Sequence, residues 1–228
     1  MDNTWGVVLF GDVVDSRDQP QAATAWLERL CLDLDASYQA SMLAPFEFTQ
    51  GDEIQGLLAH AADPFRAVLD ATLRPHRGVK AVPGMRWVVA AGAVDVGHGP
   101  ATRRTGHAFL AARKLLEQAR DDRDGLLCRS GDPEADELLA DTAPVLAAII
   151  EGMTDRQREI AHLSLVEGLR QADIAERLDV ARPTISIASA RGDVRNLGRL
   201  ADAVRSVWMR GVTRAWEARR DASARADH

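Results

Sequence analysis

The chain has little cysteine and no hydrophobic run long enough to cross a membrane. Only Cys31 and Cys128 occur among its 228 residues, which argues against a disulfide framework and against a cysteine metal site. A membrane-spanning helix needs roughly 18 consecutive apolar residues, and no stretch reaches that length. The first residues also lack the basic start of a secretory signal. We therefore expect a cytoplasmic protein whose thiols are free and buried.

Charge is distributed unevenly along the chain. The whole sequence has a formal net charge of −6, a sign that by itself disfavours binding to nucleic acid. Residues 151–228, however, contain 14 arginines against 12 aspartates and glutamates, a net charge of +2, which leaves −8 for residues 1–150. A neutral-to-basic segment joined to an acidic one is typical of a DNA-binding domain attached to a separate sensing or enzymatic domain.

The most informative motif lies near the C-terminus, in residues 170–186, which read RQADIAERLDVARPTIS. Two short helices are predicted to share a core of four apolar residues, Ile174, Leu178, Val180 and Ile185. Asp179 would begin the turn between them, where many such motifs have glycine, because aspartate tolerates the left-handed backbone better than most residues. Pro183 fits the first turn of the second helix, where its missing N–H breaks no hydrogen bond.

The second helix of this motif has a polar outward face. Short hydrogen-bonding side chains, one guanidinium and one isoleucine suit a helix that lies in the major groove of DNA. Arg182 would reach a guanine edge or a phosphate, and the two later arginines would meet the phosphate backbone. The predicted DNA contacts are Gln171, Arg182, Thr184, Ser186, Ile187, Ser189, Arg191 and Arg195. A helical hairpin with a merely solvated polar face is the alternative.

A further helix is predicted before the motif. Thr154, with Gln157 three residues later, forms a capping box, and the helix would run to about Leu165 before Gly168 ends it. The stretch 154–187 resembles the three-helix domain of sigma-factor region 4 and of LuxR-type regulators, whose pattern reads roughly Thr-x-Arg-Glu-Arg-Glu, a Gly, then Ile-Ala-x-x-Leu. This resemblance implies that the partner is promoter or operator DNA and that the function is transcriptional regulation.

The first 130 residues alternate between strand and helix patterns. The predicted elements are a strand at 5–10, a helix at 20–42, strands at 46–50 and 53–58, a helix at 63–73, a strand at 85–96, a helix at 105–119 and a strand at 125–129. This order contains the ferredoxin-like arrangement. The expected fold class is therefore α+β, a ferredoxin-like palm domain followed by an all-α helix-turn-helix domain.

Two carboxylates are expected at one end of this sheet. Asp12 follows the first strand, and Asp52 lies in the hairpin between the second and third. The segment resembles the palm domain of class III nucleotide cyclases and diguanylate cyclases, which have aspartates at these places. The resemblance implies a Mg²⁺ site at this pair, since two carboxylates can hold metal ions that bridge nucleotide phosphates. Ser16, Arg17 and Arg113 are the predicted nucleotide contacts, and turn capping is the alternative role of each carboxylate.

A second family resemblance and one departure from the cyclase pattern bear on the comparison with the palm domain. Residues 11–17 and 51–58 are more similar still to the SatD family of bacterial proteins, a likeness that covers roughly residues 5–130. Phe109 stands where the class III cyclases have an asparagine, four residues before the arginine that Arg113 matches. Phenylalanine cannot donate the hydrogen bond that orients a developing charge, which disfavours catalysis. No catalytic residue is therefore assigned.

The expected domains are a palm-like domain at 1–131, a connecting helix at 132–153 and a DNA-binding domain at 154–228. The last contains a seam of apolar residues at alternating spacings of three and four, Val194, Leu197, Ala201, Val204 and Trp208. Such a seam buries itself against a partner subunit or against the N-terminal domain. A homodimer would present two DNA-reading helices to half-sites one turn of DNA apart.

Together these patterns predict a dimeric transcriptional regulator whose palm-like domain senses a nucleotide or a related phosphate ligand. One alternative is an active Mg²⁺-dependent nucleotidyl cyclase with an accessory DNA-binding domain. Another is a palm-like domain whose role is purely structural.

Overall fold

The computed structural model describes residues 4–14, 20–49, 52–74, 84–95 and 97–226. The strands in these ranges are β1 (Thr4–Val13), β2 (Met42–Phe48), β3 (Glu53–Ala59), β4 (Met85–Val94) and β5 (Leu126–Arg129). The α-helices are α1 (Pro20–Tyr38), α2 (Pro64–Leu73), α3 (His107–Asp122), α4 (Pro133–Glu151), α5 (Asp155–Leu165), α6 (Gln171–Arg177), α7 (Arg182–Arg191) and α8 (Val194–Ala226). No helix in the described ranges is both long enough and apolar enough to span a membrane.

The strands form one sheet in the order β2-β3-β1-β4-β5. Strand β1 pairs antiparallel with β3 and with β4, β2 pairs antiparallel with β3, and β5 runs parallel to β4. The succession β1-α1-β2-β3-α2-β4, with β1 between β3 and β4, is the ferredoxin-like arrangement, to which α3 and β5 are added. The predicted α+β class and ferredoxin-like strand order are therefore confirmed.

Strand β1 is buried on both faces because its apolar run alternates between two cores. Val7 and Leu9 belong to a core that also contains residues of α1 and α2. Val8 and Phe10 face the opposite core, which is formed with α3. A period of two sends successive side chains to opposite faces, so a continuous apolar run is what a doubly covered central strand requires.

Helix α1 ends earlier than the sequence predicts, and strand β2 begins earlier. The predicted helix reached residue 42, whereas α1 ends at Tyr38 and β2 starts at Met42 after a single 3-10 turn. Ala44 and Phe46 are buried while Leu43 and Pro45 are exposed, the alternation of a strand with one face in the core. Pairing of Met42 with Leu58 of β3 fixes this segment as a strand, a tertiary contact that no local pattern shows.

Helices α5, α6 and α7 surround a small core of their own, formed by Ile160, Leu163, Ile174, Ala175 and Ile185. The capping box predicted at Thr154 is present at the start of α5. Asp179, in the turn between α6 and α7, has a φ of 51°, which is the left-handed conformation expected of it. Pro183 lies in the first turn of α7, as predicted.

The apolar seam of α8 is buried within the chain. All five seam residues are buried, and they belong to the same core as Val7 and Leu9 of β1. The ring of Trp208 packs edge-on against Phe65 of α2, with ring centroids 5.7 Å apart. The sequence left two surfaces open for this seam, a partner subunit or the N-terminal domain. In the structure the seam packs against the N-terminal half of the chain.

Candidate functional site

The outward side of α7 is the first candidate site. Ile185 is fully buried and fixes the inner side of this helix on the small core of α5 and α6. Because successive residues turn by 100°, Ile187 points away from that core, and it is 54% exposed. Among the other predicted DNA contacts, Ser189 is half-buried, and the exposed ones are Gln171, Arg182, Thr184, Ser186, Arg191 and Arg195.

The arginines around α7 differ from those of the neighbouring helices. Within the described ranges, Arg182, Arg191 and Arg195 make no side-chain hydrogen bond or ion pair. On α5 and at α6, by contrast, three arginines are paired with carboxylates: Arg156 with Glu159 at 2.7 Å, Arg170 with Asp173 at 3.2 Å and Arg177 with Glu167 at 2.6 Å. The sequence of α7 contains no acidic residue. Its positive charge is therefore available to an external anion.

The second candidate site lies at the end of the sheet, around Asp12 of β1. Asp12 is only 3% exposed. Its carboxylate accepts hydrogen bonds from Nη1 of Arg86 at 2.8 Å and from Nε and Nη2 of Arg120 at 3.1 and 2.6 Å. Arg86 lies on β4 directly opposite Asp12 in the strand register, and Arg120 lies in the last turn of α3. The sequence did not point to either arginine as a partner of Asp12.

Glu53 stands opposite Asp12 in the register of β1 and β3. Its carboxylate accepts hydrogen bonds from Nη1 of Arg113 at 2.9 and 3.1 Å, and it lies 3.6 Å from Arg120. The guanidinium of Arg113 also lies over the ring of Phe10, 4.9 Å from its centroid. Arg113, a predicted nucleotide contact, is therefore held at this end of the sheet by a carboxylate and an aromatic ring.

Asp52 completes the sheet-end cluster, which we define as Asp12, Asp52, Glu53, Arg86, Arg113 and Arg120. The backbone carbonyl of Asp52 accepts a hydrogen bond from the backbone N–H of Val13 at 2.9 Å, so Asp12 and Asp52 lie at one end of the sheet as expected. Hydrogen bonding to Asp12, opposed by burial and supported by the charges of Asp12, Glu53 and Asp52, raises the pKa of Arg120. Ser16 and Arg17, the other predicted nucleotide contacts, lie outside the described residues.

The charges of the sheet-end cluster determine whether a metal ion can bind there. Three carboxylates face three guanidiniums, so the cluster is formally neutral. Among the described residues, no group of three or more histidines, cysteines, aspartates and glutamates is arranged to hold a metal. Two guanidiniums are hydrogen-bonded to the carboxylate of Asp12, so in this arrangement Asp12 is not suited to coordinate Mg²⁺. A metal ion would bind Asp12 only if Arg120, whose side chain is 43% exposed, left Asp12 and paired with another anion.

Phe109 lies in the first turn of α3 and belongs to the core that this helix forms with the sheet. It is buried, and its ring lies 6.2 Å from that of Phe10 between centroids. The position where class III cyclases have an asparagine therefore contributes packing here and offers no hydrogen-bond donor to a ligand.

A buried polar network joins α2 to α5, and sequence reasoning missed it. His162 donates from Nε2 to Oδ1 of Asp70 at 2.9 Å, and both residues are buried. Arg74 donates two hydrogen bonds to the same carboxylate, at 3.0 and 2.9 Å, and a third to Asp33 at 3.0 Å. Burial alone would raise the pKa of Asp70, but the hydrogen bonds from His162 and Arg74 outweigh it, and the pKa is lowered.

The network continues to α6. Nδ1 of His162 lies 3.6 Å from Glu167, and Glu167 accepts a hydrogen bond from Arg177, the last residue of α6, at 2.6 Å. We call Asp33, Asp70, Arg74, His162, Glu167 and Arg177 the junction network. It connects the helices that cover the sheet with the helix that precedes the turn to α7.

Comparison with known proteins finds no matching protein family model and no matching curated protein. Two solved structures of a bacterial light-regulated adenylyl cyclase are similar to part of the chain. One is 13% identical, with a TM-score of 0.40, and the match covers 56% of this chain and 43% of that chain. The other is 15% identical, with a TM-score of 0.42, and the match covers 56% and 77%. At these TM-scores, the fold assignment rests on the strand order and pairing of the sheet itself.

Proposed function

We propose that the chain is a transcriptional regulator that reads duplex DNA with α7 in the major groove. In this proposal α6, the turn that contains Asp179, and α7 form a helix-turn-helix. The single observation that supports it best is the outward side of α7, which is exposed, free of carboxylates and bordered by unpaired arginines. A cationic helix face with short polar side chains suits both phosphates and base edges.

The positions of four of the predicted contacts each fit a part of such a complex. Gln171 begins α6, where a first helix that crosses the backbone presents its N–H groups to a phosphate. Arg182 begins α7, and the N-terminal residues of a recognition helix are those that reach base edges. Arg191 ends α7 and Arg195 follows in the first turn of α8, where both would contact phosphates.

Arg182→Ala tests the DNA half of the proposal. Selection from a random duplex library should enrich one sequence, and the variant should bind it more weakly by about 1–3 kcal/mol if Arg182 contacts a base edge. If Arg182 contacts a phosphate instead, binding should weaken equally on all sequences and the salt slope should fall by about 1. Fluorescence anisotropy at several salt concentrations distinguishes the two results.

Arg219→Ala is the matched control for this experiment. Arg219 is also an exposed arginine and lies on α8. It lies 24 residues beyond Arg195 on α8, which is ~36 Å along a helix axis. We expect its loss to leave affinity for the selected duplex unchanged. Equal losses for the two variants, or no enriched sequence at all, would contradict DNA reading by α7.

We further propose that the sheet-end cluster binds a nucleotide together with Mg²⁺, which Asp12 and Asp52 would hold. Arg113 and Arg120 would turn from their carboxylates to the phosphates, and Mg²⁺ would take their place beside the carboxylates. Their side chains are 46% and 43% exposed, so both can reach an external ligand. Such a ligand would regulate DNA binding only if it had unequal affinity for two arrangements of the chain.

A melting experiment tests the proposed binding of a nucleotide with Mg²⁺. Mg²⁺ alone should leave the melting temperature unchanged, because the cluster is already neutral. A nucleotide with Mg²⁺ should raise it, and a ligand at 100 times its Kd adds about 2.7 kcal/mol of stability. Asp52→Asn should remove the Mg²⁺ dependence. Release of pyrophosphate from a triphosphate would favour the cyclase alternative, and no shift with any nucleotide would leave the sheet with a structural role.

The proposed regulator binds DNA as a homodimer, because one α7 covers only one half-site. The seam of α8 is buried within the chain, so the dimer would use another surface. Light scattering of the protein with and without the selected duplex would measure the number of copies bound.

A further inference from the structure

Ile187 is an exposed apolar side chain at the centre of the α7 face. It is 54% exposed, and among the described residues of α5, α6, α7 and α8 no other large hydrophobic side chain is so accessible. Contact of a branched aliphatic side chain with water is unfavourable. A partner that covers Ile187 with an apolar group therefore gains affinity.

The surroundings of Ile187 indicate which partner that is. Residues three and four positions away are its neighbours on a helix surface, and these are Pro183, Thr184, Ala190 and Arg191, all exposed. They place small or hydroxyl-bearing groups beside the isoleucine and a guanidinium at one end. Arg182 adds a second unpaired cation near the start of the helix, and the helix has no acidic residue. The charge of the face thus complements a polyanion, whereas its centre is apolar.

We infer that Ile187 contacts the C5-methyl group of a thymine and makes thymine the preferred base at one position of each half-site. The major groove presents hydrogen-bond donors and acceptors at every base pair, and the thymine methyl adds an apolar group to that pattern. A side chain with no donor or acceptor can recognise a base only through such a group. The inference rests on the proposed function, since it names the base that the same face would read.

Deoxyuridine substitution tests this assignment, because deoxyuridine differs from thymidine only in lacking the methyl. Each thymine of the duplex enriched by selection is replaced singly, and binding is measured by anisotropy. For the wild-type chain we expect one position per half-site at which the loss of the methyl weakens binding about fourfold, the value for one buried methyl group. For Ile187→Ala the same replacement should have no effect, whereas Ile187→Val, which keeps a branched side chain, should retain the penalty.

The outcomes separate this inference from the proposed function. If every thymine tolerates deoxyuridine, or if Ile187→Ala shows the same penalty as the wild type, the thymine assignment is wrong although DNA binding stands. If selection enriches no duplex, the proposed function is wrong and the thymine assignment with it. Because Ile187 is exposed, its variants should melt at the wild-type temperature, and this measurement shows that any change in binding comes from the contact itself.

Discussion

Asp70→Asn is expected to lower the free energy of unfolding at neutral pH by about 3 kcal/mol, at the lower end of the range for removing one partner of a buried ion pair. The Asp70 side chain is 5% exposed, and its carboxylate accepts hydrogen bonds from both Arg74 and His162. Without its charge, a largely buried guanidinium loses its nearest counter-charge. We expect the lower end of the range because Arg74 retains its contact with Asp33 and its side chain is 27% exposed. Urea denaturation measures the difference.

Asp33→Asn is the matched control, since Asp33 bonds the same guanidinium at 3.0 Å but its side chain is 35% exposed. An exposed ion pair contributes about 0–1 kcal/mol, so this variant should be close to the wild type. Equal destabilisation by the two substitutions would show that burial of Asp70 does not determine its contribution.

The lowered pKa of Asp70 also predicts how the difference depends on pH. A carboxyl group whose pKa is lower in the folded than in the unfolded chain contributes stability that is complete above the unfolded pKa and disappears as pH falls through the folded pKa. The ordinary pKa is 3.8, so the wild type should lose this contribution progressively at pH values below 3.8. Asp70→Asn has no such titration and should lose less stability over the same range. Parallel pH profiles for the two proteins would contradict this account.

The junction network has a consequence for the proposed regulator. Asp70 lies on α2 and Arg74 directly follows that helix, next to the sheet. Glu167 and Arg177 form an ion pair at the end of α6, beside the turn that leads to α7. A shift of α2 that moved Asp70 would disturb its hydrogen bond with His162, whose Nδ1 lies 3.6 Å from the carboxylate that Arg177 binds. The network is therefore a physical contact through which the two halves of the chain can influence each other's position.

Local sequence patterns predicted those features that depend on neighbouring residues. The apolar run of β1 identified the central strand, and the capping box at Thr154 identified the start of α5. Asp179 was predicted in a left-handed turn and Pro183 in a first helical turn, because each depends on the backbone within a few residues. The strand order followed from the succession of elements, which few topologies can satisfy.

Features that join distant residues were not predictable in this way. Arg86 and Arg120 are 74 and 108 residues from Asp12, and His162 is 92 residues from Asp70. Nothing in the sequence around an arginine shows which carboxylate it meets after folding. This is why Asp12 was predicted as an open metal ligand, whereas in the structure its carboxylate already has two cationic partners. The early start of β2 at Met42, ahead of the strand predicted from residue 46, was missed for the same reason, since pairing with Leu58 decides the conformation there.

Trp208→Ala is expected to lower the free energy of unfolding by about 3–5 kcal/mol, the usual cost of removing a large aromatic side chain from a core. Trp208 of α8 is fully buried, and its ring packs edge-on against Phe65 of α2. The core that it occupies also contains Val7 and Leu9 of the central strand. Because one core includes residues of both halves, we expect the variant to unfold in a single transition that is shifted as a whole.

Two further variants show whether the effect comes from the cavity. Trp208→Phe keeps a ring against Phe65, leaves a smaller cavity and removes an indole N–H that has no hydrogen-bond partner among the described residues, so it should cost clearly less than Trp208→Ala. Trp216→Ala removes a half-buried tryptophan of the same helix, which stacks on His60 with centroids 5.1 Å apart, and should cost about 1 kcal/mol. If Trp208→Ala instead splits unfolding into two transitions and shifts only one, residues 1–131 and 154–228 are separate folding units. The seam of α8 then joins two domains that are each stable alone.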